Sequence, residues 1–245
     1  MKYKIEKNTV QETLIIPLYA RKVCSELYPN IYRDETAVRL IEKIDYDFSE
    51  AEKNSRSLMQ RFGSLEVAMR QNDLAFEVRD YLKDHPNAAV VNLGCGLDST
   101  GRACDNGRCK IYNLDYPDVI AVRNELLPAG EREENIPCDL NDTAWFSKID
   151  ASGGAIFFAS GVFYYFLTEQ VKALVLSMTD AFPGGVLMKK LGLYDLTPAL
   201  CRLDYTMSEA GGVTDFVRQY TLASGGPYCD CGYKKKIGKD DFHIC

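Results

Sequence analysis

The 245-residue sequence predicts an α/β protein, a doubly wound and mostly parallel sheet preceded by an N-terminal helical cap. Three observations carry that prediction. Apolar residues recur at helical spacing through the first ninety positions. From residue 88, short and almost wholly apolar runs alternate with helical stretches. Those runs end in glycine or an acid, and strands apolar on both faces belong to a sheet covered on both sides. The boundaries expected are 1–87 for the cap or lid and 88–245 for the sheet domain, with a divergent segment from about residue 192.

In the cap, Asp34 is placed to cap a helix carrying Ala37, Leu40, Ile41 and Ile44. Ser49 and Glu52 form a capping-box pattern ahead of Leu58, Met59 and Phe62. A third helix is expected from Leu65 to Lys83, with Met69, Leu74, Val78 and Leu82 inward, ending at His85-Pro86. The strands expected next are 88–93, 110–115, a weaker 135–140 and the clearest, 155–159. Pro117 opens the helix after the second strand. Thr168 is placed to cap a helix carrying Val171, Leu174, Val175, Met178 and Phe182, which Pro183-Gly184-Gly185 stops before a strand at 186–188. Two further strands are expected within 215–222 and 233–244.

Composition narrows the function. Hydrophobic residues make up 46% and charged residues 26%, the ordinary globular range. A formal charge of −6 opposes generic binding to nucleic acid or anionic lipid. No apolar run of about 18 residues is present for a membrane span, and Leu14–Leu18 is too short for a signal-peptide core, so a cytoplasmic protein is expected. Nine cysteines, mostly single and in apolar runs, read as reduced thiols. Cys104 and Cys109, Cys229 and Cys231, and the two histidines His85 and His243 make no zinc spacing, so no metal is expected.

A parallel sheet binds ligands at the carboxyl ends of its strands, which directs attention to the residues after each strand. Gly94-Cys95-Gly96 follows the first, where glycines admit a ligand close to the backbone. Ser99 stands where a dinucleotide fingerprint wants its third glycine, so the motif also reads as a plain tight turn. Asp115 ends the second strand, 19 residues past Gly96; a carboxylate there can take both hydroxyls of a ribose, or serve the next helix as an N-terminal cap. Asp139-Leu140 ends the third, suited to an adenine amine and ring, or to an Asx turn.

The blocks VVNLGCGLDST, YNLDYPDV, CDLND and FFASGVFYYF, with ETLIIPLYARK and IDYDFS upstream, resemble the S-adenosylmethionine-dependent methyltransferases of the leucine carboxyl methyltransferase superfamily. The likeness is to its tetracenomycin-type polyketide O-methyltransferase branch, and it spans about residues 11–190 of a Rossmann-like fold. It implies S-adenosyl-L-methionine as cofactor and a small-molecule methyl acceptor. Gly94, Cys95 and Gly96 would border the methionine part, Asp115 the ribose diol, Asp139 and Leu140 the adenine, and Ser160-Gly161 the same cofactor. Arg70 would pair with the cofactor carboxylate; without the family it reads as a solvated helix face. Tyr165 would be a catalytic candidate; without the family it reads as core within an aromatic run.

Two departures stand out. Ser160 lies where the wider family often carries a glutamate that neutralises the cofactor amine, and a serine brings no charge. After 186–188 the chain reads Lys189-Lys190-Leu191 in place of an acidic strand end.

Transfer to a carboxylate needs no base, whereas transfer to a phenol does. His85 belongs to the wrong sheet edge, so no base is evident and the two acceptors stand level. Tyr19 and Arg21 are the remaining candidates to touch the acceptor, unless they merely pack a helix start. The alternatives are a non-catalytic or impaired nucleoside-cofactor-binding protein and a protein C-terminal carboxyl methyltransferase. A nicotinamide dehydrogenase is disfavoured by Ser99, and a Cys95 hydrolase by Leu93 and Leu97 where a nucleophile elbow wants glycines.

Overall fold

The computed structural model describes residues 2–5, 9–54, 57–183, 185–187, 214–217 and 232–235. The chain forms two compact units, Met1–Lys189 and Lys190–Cys245, so the N-terminal helices and the sheet share the first.

That unit opens with β1 (Tyr3–Lys4), α1 (Val10–Thr13) and α2 (Ile15–Leu27). α3 (Glu35–Lys43) starts as expected, with Asp34 Oδ1 accepting the Ala37 N–H at 2.9 Å. It runs into β2 (Ile44–Asp45), which pairs in parallel with β1. α4 (Ser49–Asn54) corrects the expected capping box: Ser49 is already helical, and Asp47 Oδ1 accepts its N–H at 3.0 Å. α5 (Leu58–Asp84) is one helix of 27 residues where a start at Leu65 was expected. Ser57 caps it by accepting the Gln60 N–H, and Gly63, inside it, costs only about 1 kcal/mol relative to alanine.

The sheet follows: β3 (Ala89–Leu93), the short α6 (Thr100–Ala103), β4 (Lys110–Asp115), α7 (Pro117–Leu126), β5 (Glu133–Pro137), a 3-10 turn at Thr143–Lys148 and β6 (Ala155–Ala159). A second 3-10 turn, Val162–Tyr165, leads to α8 (Thr168–Ala181) and β7 (Val186–Leu187). β5 sits two residues earlier than its apolar pattern suggests. Its register on β4 pairs Ile111 with Glu133 and Asp115 with Pro137, and Arg102 on α6 grips Glu133 with bonds of 2.7 and 2.5 Å. Thr168 is the first residue of α8 and not its cap; the Leu167 N–H ahead of it is held by Gln170 Oε1 at 2.8 Å.

The strand order is β5-β4-β3-β6-β7, every neighbour parallel. The winding direction reverses between β3 and β6. Alternate side chains feed two layers. Val90, Ile111, Ile156 and Phe158 pack under Leu74, Ala75, Val78 and Leu82 of α5. Val91, Leu93, Leu114 and Phe157 pack against Trp145, Leu174, Met178 and Phe182. α5 is therefore both part of the cap and one face of the sandwich. α2, α3 and α7 share a third cluster around Leu18, Leu40 and Val122.

In the second unit, β8 (Thr214–Val217) and β9 (Gly232–Lys235) form an antiparallel pair. The expectations for Met188–Leu191, Cys229, Cys231, His243 and the rest of the two C-terminal strands lie outside the described residues. Among the described residues no helix is long and apolar enough to cross a membrane, and no group of three or more His, Cys, Asp or Glu is arranged for a metal.

Candidate functional site

Leu93 pairs in register with both Leu114 and Ala159, so the segments after β3, β4 and β6 leave the sheet along one edge. They wall a cavity of about 430 Å³, closed from the N-terminal side by α1, α2 and α5. Arg21, Arg70, Gly94, Cys95, Gly96, Asp115, Ser160, Gly161 and Tyr165 all line it.

The glycine turn is built by close approach. Gly94 has φ +67°, and a Cβ there would lie 2.4 Å from the Cβ and Cγ2 of Val162. Gly96 has φ +46°, where a Cβ would come 3.1 Å from Leu14 Cδ2. Only glycine takes such backbone at little cost. Beneath the turn lies Arg123, a residue the sequence reading passed over. It is 1% exposed, and its Nη1 donates to the Gly96 and Asp98 carbonyls at 2.9 and 2.7 Å. A guanidinium reaching two carbonyls fixes the curvature of the turn from α7.

Asp115 faces the same turn. Its Oδ2 accepts the Gly96 N–H and its Oδ1 the Tyr116 N–H, each at 2.8 Å. Each oxygen keeps a lone pair, which suits a vicinal diol. Burial pushes its carboxyl above the usual range, and the two N–H bonds pull it partly back. Arg70, on α5, stands across the cavity beside Gly161, where φ is +91° and a Cβ would lie 3.3 Å from Arg70 Nη1. Its ion pair, with Glu66 one turn earlier, is a long 3.9 Å. A half-exposed guanidinium so weakly engaged retains donors for a carboxylate.

Asp98 lies among the residues after β3 to which the strand-end argument points, though the sequence assigned it no role. Its Oδ1 accepts from Arg21 Nη1 at 2.8 Å, Gln71 Nε2 at 2.7 Å and the Thr100 hydroxyl at 2.8 Å. Its Oδ2 accepts from Asn92 Nδ2 at 3.1 Å. These partners come from α2, α5, α6 and β3, so one carboxylate ties the cap helices to the glycine turn. The acid directly after NLGCGL was the available signal, but its partners are far apart in sequence.

Several expected roles fall differently. Tyr19 is not in the cavity: it is buried, stacks on Phe48 at 5.1 Å and packs in the N-terminal core. Arg21 lines the cavity, yet its guanidinium is held by Asp98, the Leu97 carbonyl at 3.0 Å and Asp34 at 3.6 Å. Asp139 and Leu140 do not line the cavity; Asn141 does. Asp139 Oδ1 accepts the Asn141 N–H and Nδ2 in an Asx turn, and Leu140 is buried beneath the sheet. The Cys95 thiol is buried, its pKa is pushed far up by burial, and its N–H goes to the Leu114 carbonyl. Cys95 therefore contributes backbone to the wall and is no nucleophile. Tyr165 is 73% exposed at the cavity, not core. His85 stacks on Tyr81 at the opposite edge, next to the start of β3.

Geometry thus defines a class: a doubly wound α/β protein with a charged cavity at its topological switch point, roofed by N-terminal helices. The comparisons give the family. The family model for leucine carboxyl methyltransferase matches residues 16–179, and the chain belongs to that family. Two curated relatives agree. The tetracenomycin polyketide synthesis O-methyltransferase of Streptomyces glaucescens is 27% identical over 180 residues, 73% of this chain and 64% of that protein. The S-adenosyl-L-methionine-dependent methyltransferase dpfgK of Gibberella zeae is 28% identical over 193 residues, 74% of this chain and 64% of that protein. The chain spans about 64% of the length of these relatives. Among solved structures, human N-acetylserotonin methyltransferase in complex with SAM aligns at 15% identity over 90% of this chain and 67% of that one, with a TM-score of 0.38.

The cofactor that the family implies, S-adenosylmethionine, is matched by the chemistry of these walls. A carboxylate at Asp115 that could accept from a diol, a guanidinium at Arg70 that could donate to a carboxylate, and a tight glycine turn meet on one cavity.

Proposed function

We propose that this chain binds S-adenosylmethionine at the strand tips and transfers its methyl group to an oxygen of a small molecule. The observation that carries this reading is the meeting of Asp115, Arg70 and the Gly94–Gly96 turn on one cavity. Asp115 would hold the ribose hydroxyls and Arg70 the carboxylate. Asn141, at the third strand tip, takes the place expected of Asp139 beside the adenine. When bound, the cofactor supplies a methyl group on a positively charged sulfur, a leaving group that needs no further activation.

The chain's own task is then alignment. Orienting donor and acceptor is worth up to roughly 7–11 kcal/mol. The acceptor side is apolar, lined by Val10, Leu14, Pro17, Val67 and Phe166, and Tyr165 offers a hydroxyl at the mouth. Among the described residues lining the cavity there is no histidine, and both carboxylates, Asp98 and Asp115, already accept hydrogen bonds. This favours an oxygen that ionises on its own, a carboxylate or an acidic phenol. The thiols described, Cys24, Cys95, Cys104, Cys109 and Cys138, are free, in keeping with a reducing cytoplasm.

The test is transfer of labelled methyl from S-adenosylmethionine across a panel of phenols and carboxylic acids. Label in an oxygen of either class supports the proposal. Binding of the cofactor with no transfer to any acceptor would leave a nucleoside-cofactor-binding protein without catalysis.

A further inference from the structure

The charges around the glycine turn do not balance in pairs. Arg21, Asp34 and Asp98 form one buried group, with Arg21 Nη1 at 2.8 Å from Asp98 and 3.6 Å from Asp34. Gln71 and Tyr32 close it into a ring: Gln71 Nε2 donates to Asp98, Tyr32 donates to Gln71 Oε1, and Tyr32 lies 3.4 Å from Asp34 Oδ2. Two carboxylates and one guanidinium leave the ring a formal charge of −1. Arg123, the other buried cation nearby, lies under the turn, bonded to carbonyls and to Asn135 Oδ1, and its charge also bears on Asp115.

Asp98 brings that excess charge to the cavity wall. Of the ring, Arg21, Gln71 and Asp98 line the cavity, and Asp34 does not. Asp98 Oδ1 is saturated by Arg21, Gln71 and Thr100, whereas Oδ2 has a single donor, Asn92 Nδ2 at 3.1 Å. The amide oxygen of that same Asn92 is buried and has no donor. Asn92 does not line the cavity, so what the wall itself offers is the Asp98 carboxylate with spare lone pairs and net negative charge behind it, which suits a compact group rich in N–H and positive in charge. Ser160, across the turn, is uncharged.

We propose that Asp98 receives the ammonium of the cofactor's amino-acid tail, with Asp34 keeping the ring one charge negative so that Arg21 does not neutralise Asp98 fully. The inference rests on the S-adenosylmethionine reading above. It divides the tail between two walls: carboxylate to Arg70 on α5, ammonium to Asp98 after β3.

The test is calorimetric titration of the full chain with S-adenosylhomocysteine and with its deaminated analogue, which keeps the carboxylate and has hydrogen in place of the amine. The wild-type chain should prefer S-adenosylhomocysteine at least tenfold. Asp98→Asn should weaken S-adenosylhomocysteine about tenfold and leave the analogue within twofold, so the preference collapses. Asp34→Asn is the second variant. Asparagine caps α3 as well as aspartate does, the residue is off the cavity, and the ring becomes neutral; S-adenosylhomocysteine should weaken at least threefold with the analogue again unmoved. Equal loss of both ligands in Asp98→Asn, or no preference in the wild-type chain, overturns the assignment. Failure of the wild-type chain to bind either ligand overturns the cofactor reading instead.

Discussion

Burial raises the Asp115 carboxyl above its ordinary value, and hydrogen bonds from the Gly96 and Tyr116 N–H groups offset part of that rise. Holding a ribose diol through two accepted hydrogen bonds requires the ionised form. The folded-state value is raised, so on acidification the carboxylate takes its proton before an ordinary aspartate would, and affinity falls in that earlier window. Titrations of S-adenosylhomocysteine from pH 7.5 downward should show the loss beginning above the ordinary aspartate range of about 3.9. The glycines carry a second prediction. Gly107 has φ +80° with nothing within 4 Å of a built Cβ, so Gly107→Ala should cost only the left-handed strain, about 1–2 kcal/mol. Gly94→Ala meets Val162 as well and should cost more, in urea unfolding, while also abolishing cofactor binding. At this scale the sequence was informative where a residue acts alone: Gly94, Gly96 and Asp115 stand where strand ends put them. It pointed to Asp98 only as a strand-end residue without a role and was silent on Arg123, and their partners Arg21, Gln71 and Gly96 lie 77, 27 and 27 residues away. It also offered two readings of Asp139, and the Asx turn is the one that forms.

β5 shows how an element is placed by something other than its own pattern. Arg102 on α6 reaches across to Glu133 with two bonds, and Glu133, which also accepts the Gly130 N–H at 3.1 Å, is 4% exposed at its side chain. Burial alone would push the Glu133 carboxyl up, but the Arg102 and Gly130 bonds carry it below the ordinary value. A depressed folded-state value means the stabilisation is present above the unfolded value and lost as pH falls through the folded one. Glu133→Gln should therefore cost about 1.5–3 kcal/mol at neutral pH. The gap between the two proteins should close as pH drops below the ordinary glutamate range, which denaturant midpoints at pH 7 and pH 3.5 would reveal. Helix starts were misread for a related reason. The apolar period of α5 continues through Gly63 to Ser57, and the capping serine rather than the densest apolar stretch sets its start. Strands β3, β4 and β6 were legible nearly to the residue because both of their faces are buried, leaving apolar runs interrupted within the strands only by Asn92 and Asn113.

At the scale of the molecule, alternation of apolar runs and helices was enough to predict the doubly wound sheet, and the order β5-β4-β3-β6-β7 puts the switch point beside Gly94. The division of labour was less legible. α5 reads as cap from its position in the chain, yet Leu74, Val78 and Leu82 make it a layer of the sandwich, while Arg70 and Gln71 on the same helix line the cavity. A ligand held by such a helix would be tied to the core through it. Saturating S-adenosylhomocysteine should therefore raise the unfolding temperature of the whole first unit as one transition, by about 2.7 kcal/mol of added stability at a hundredfold excess over Kd. The most direct measurement of the central claim is calorimetric binding of S-adenosylhomocysteine and of NAD to the wild-type chain and to Asp115→Ala. The account predicts that S-adenosylhomocysteine binds, that NAD does not, and that Asp115→Ala loses at least tenfold in affinity. Unaltered affinity in Asp115→Ala, or binding of NAD in preference to S-adenosylhomocysteine, would contradict it.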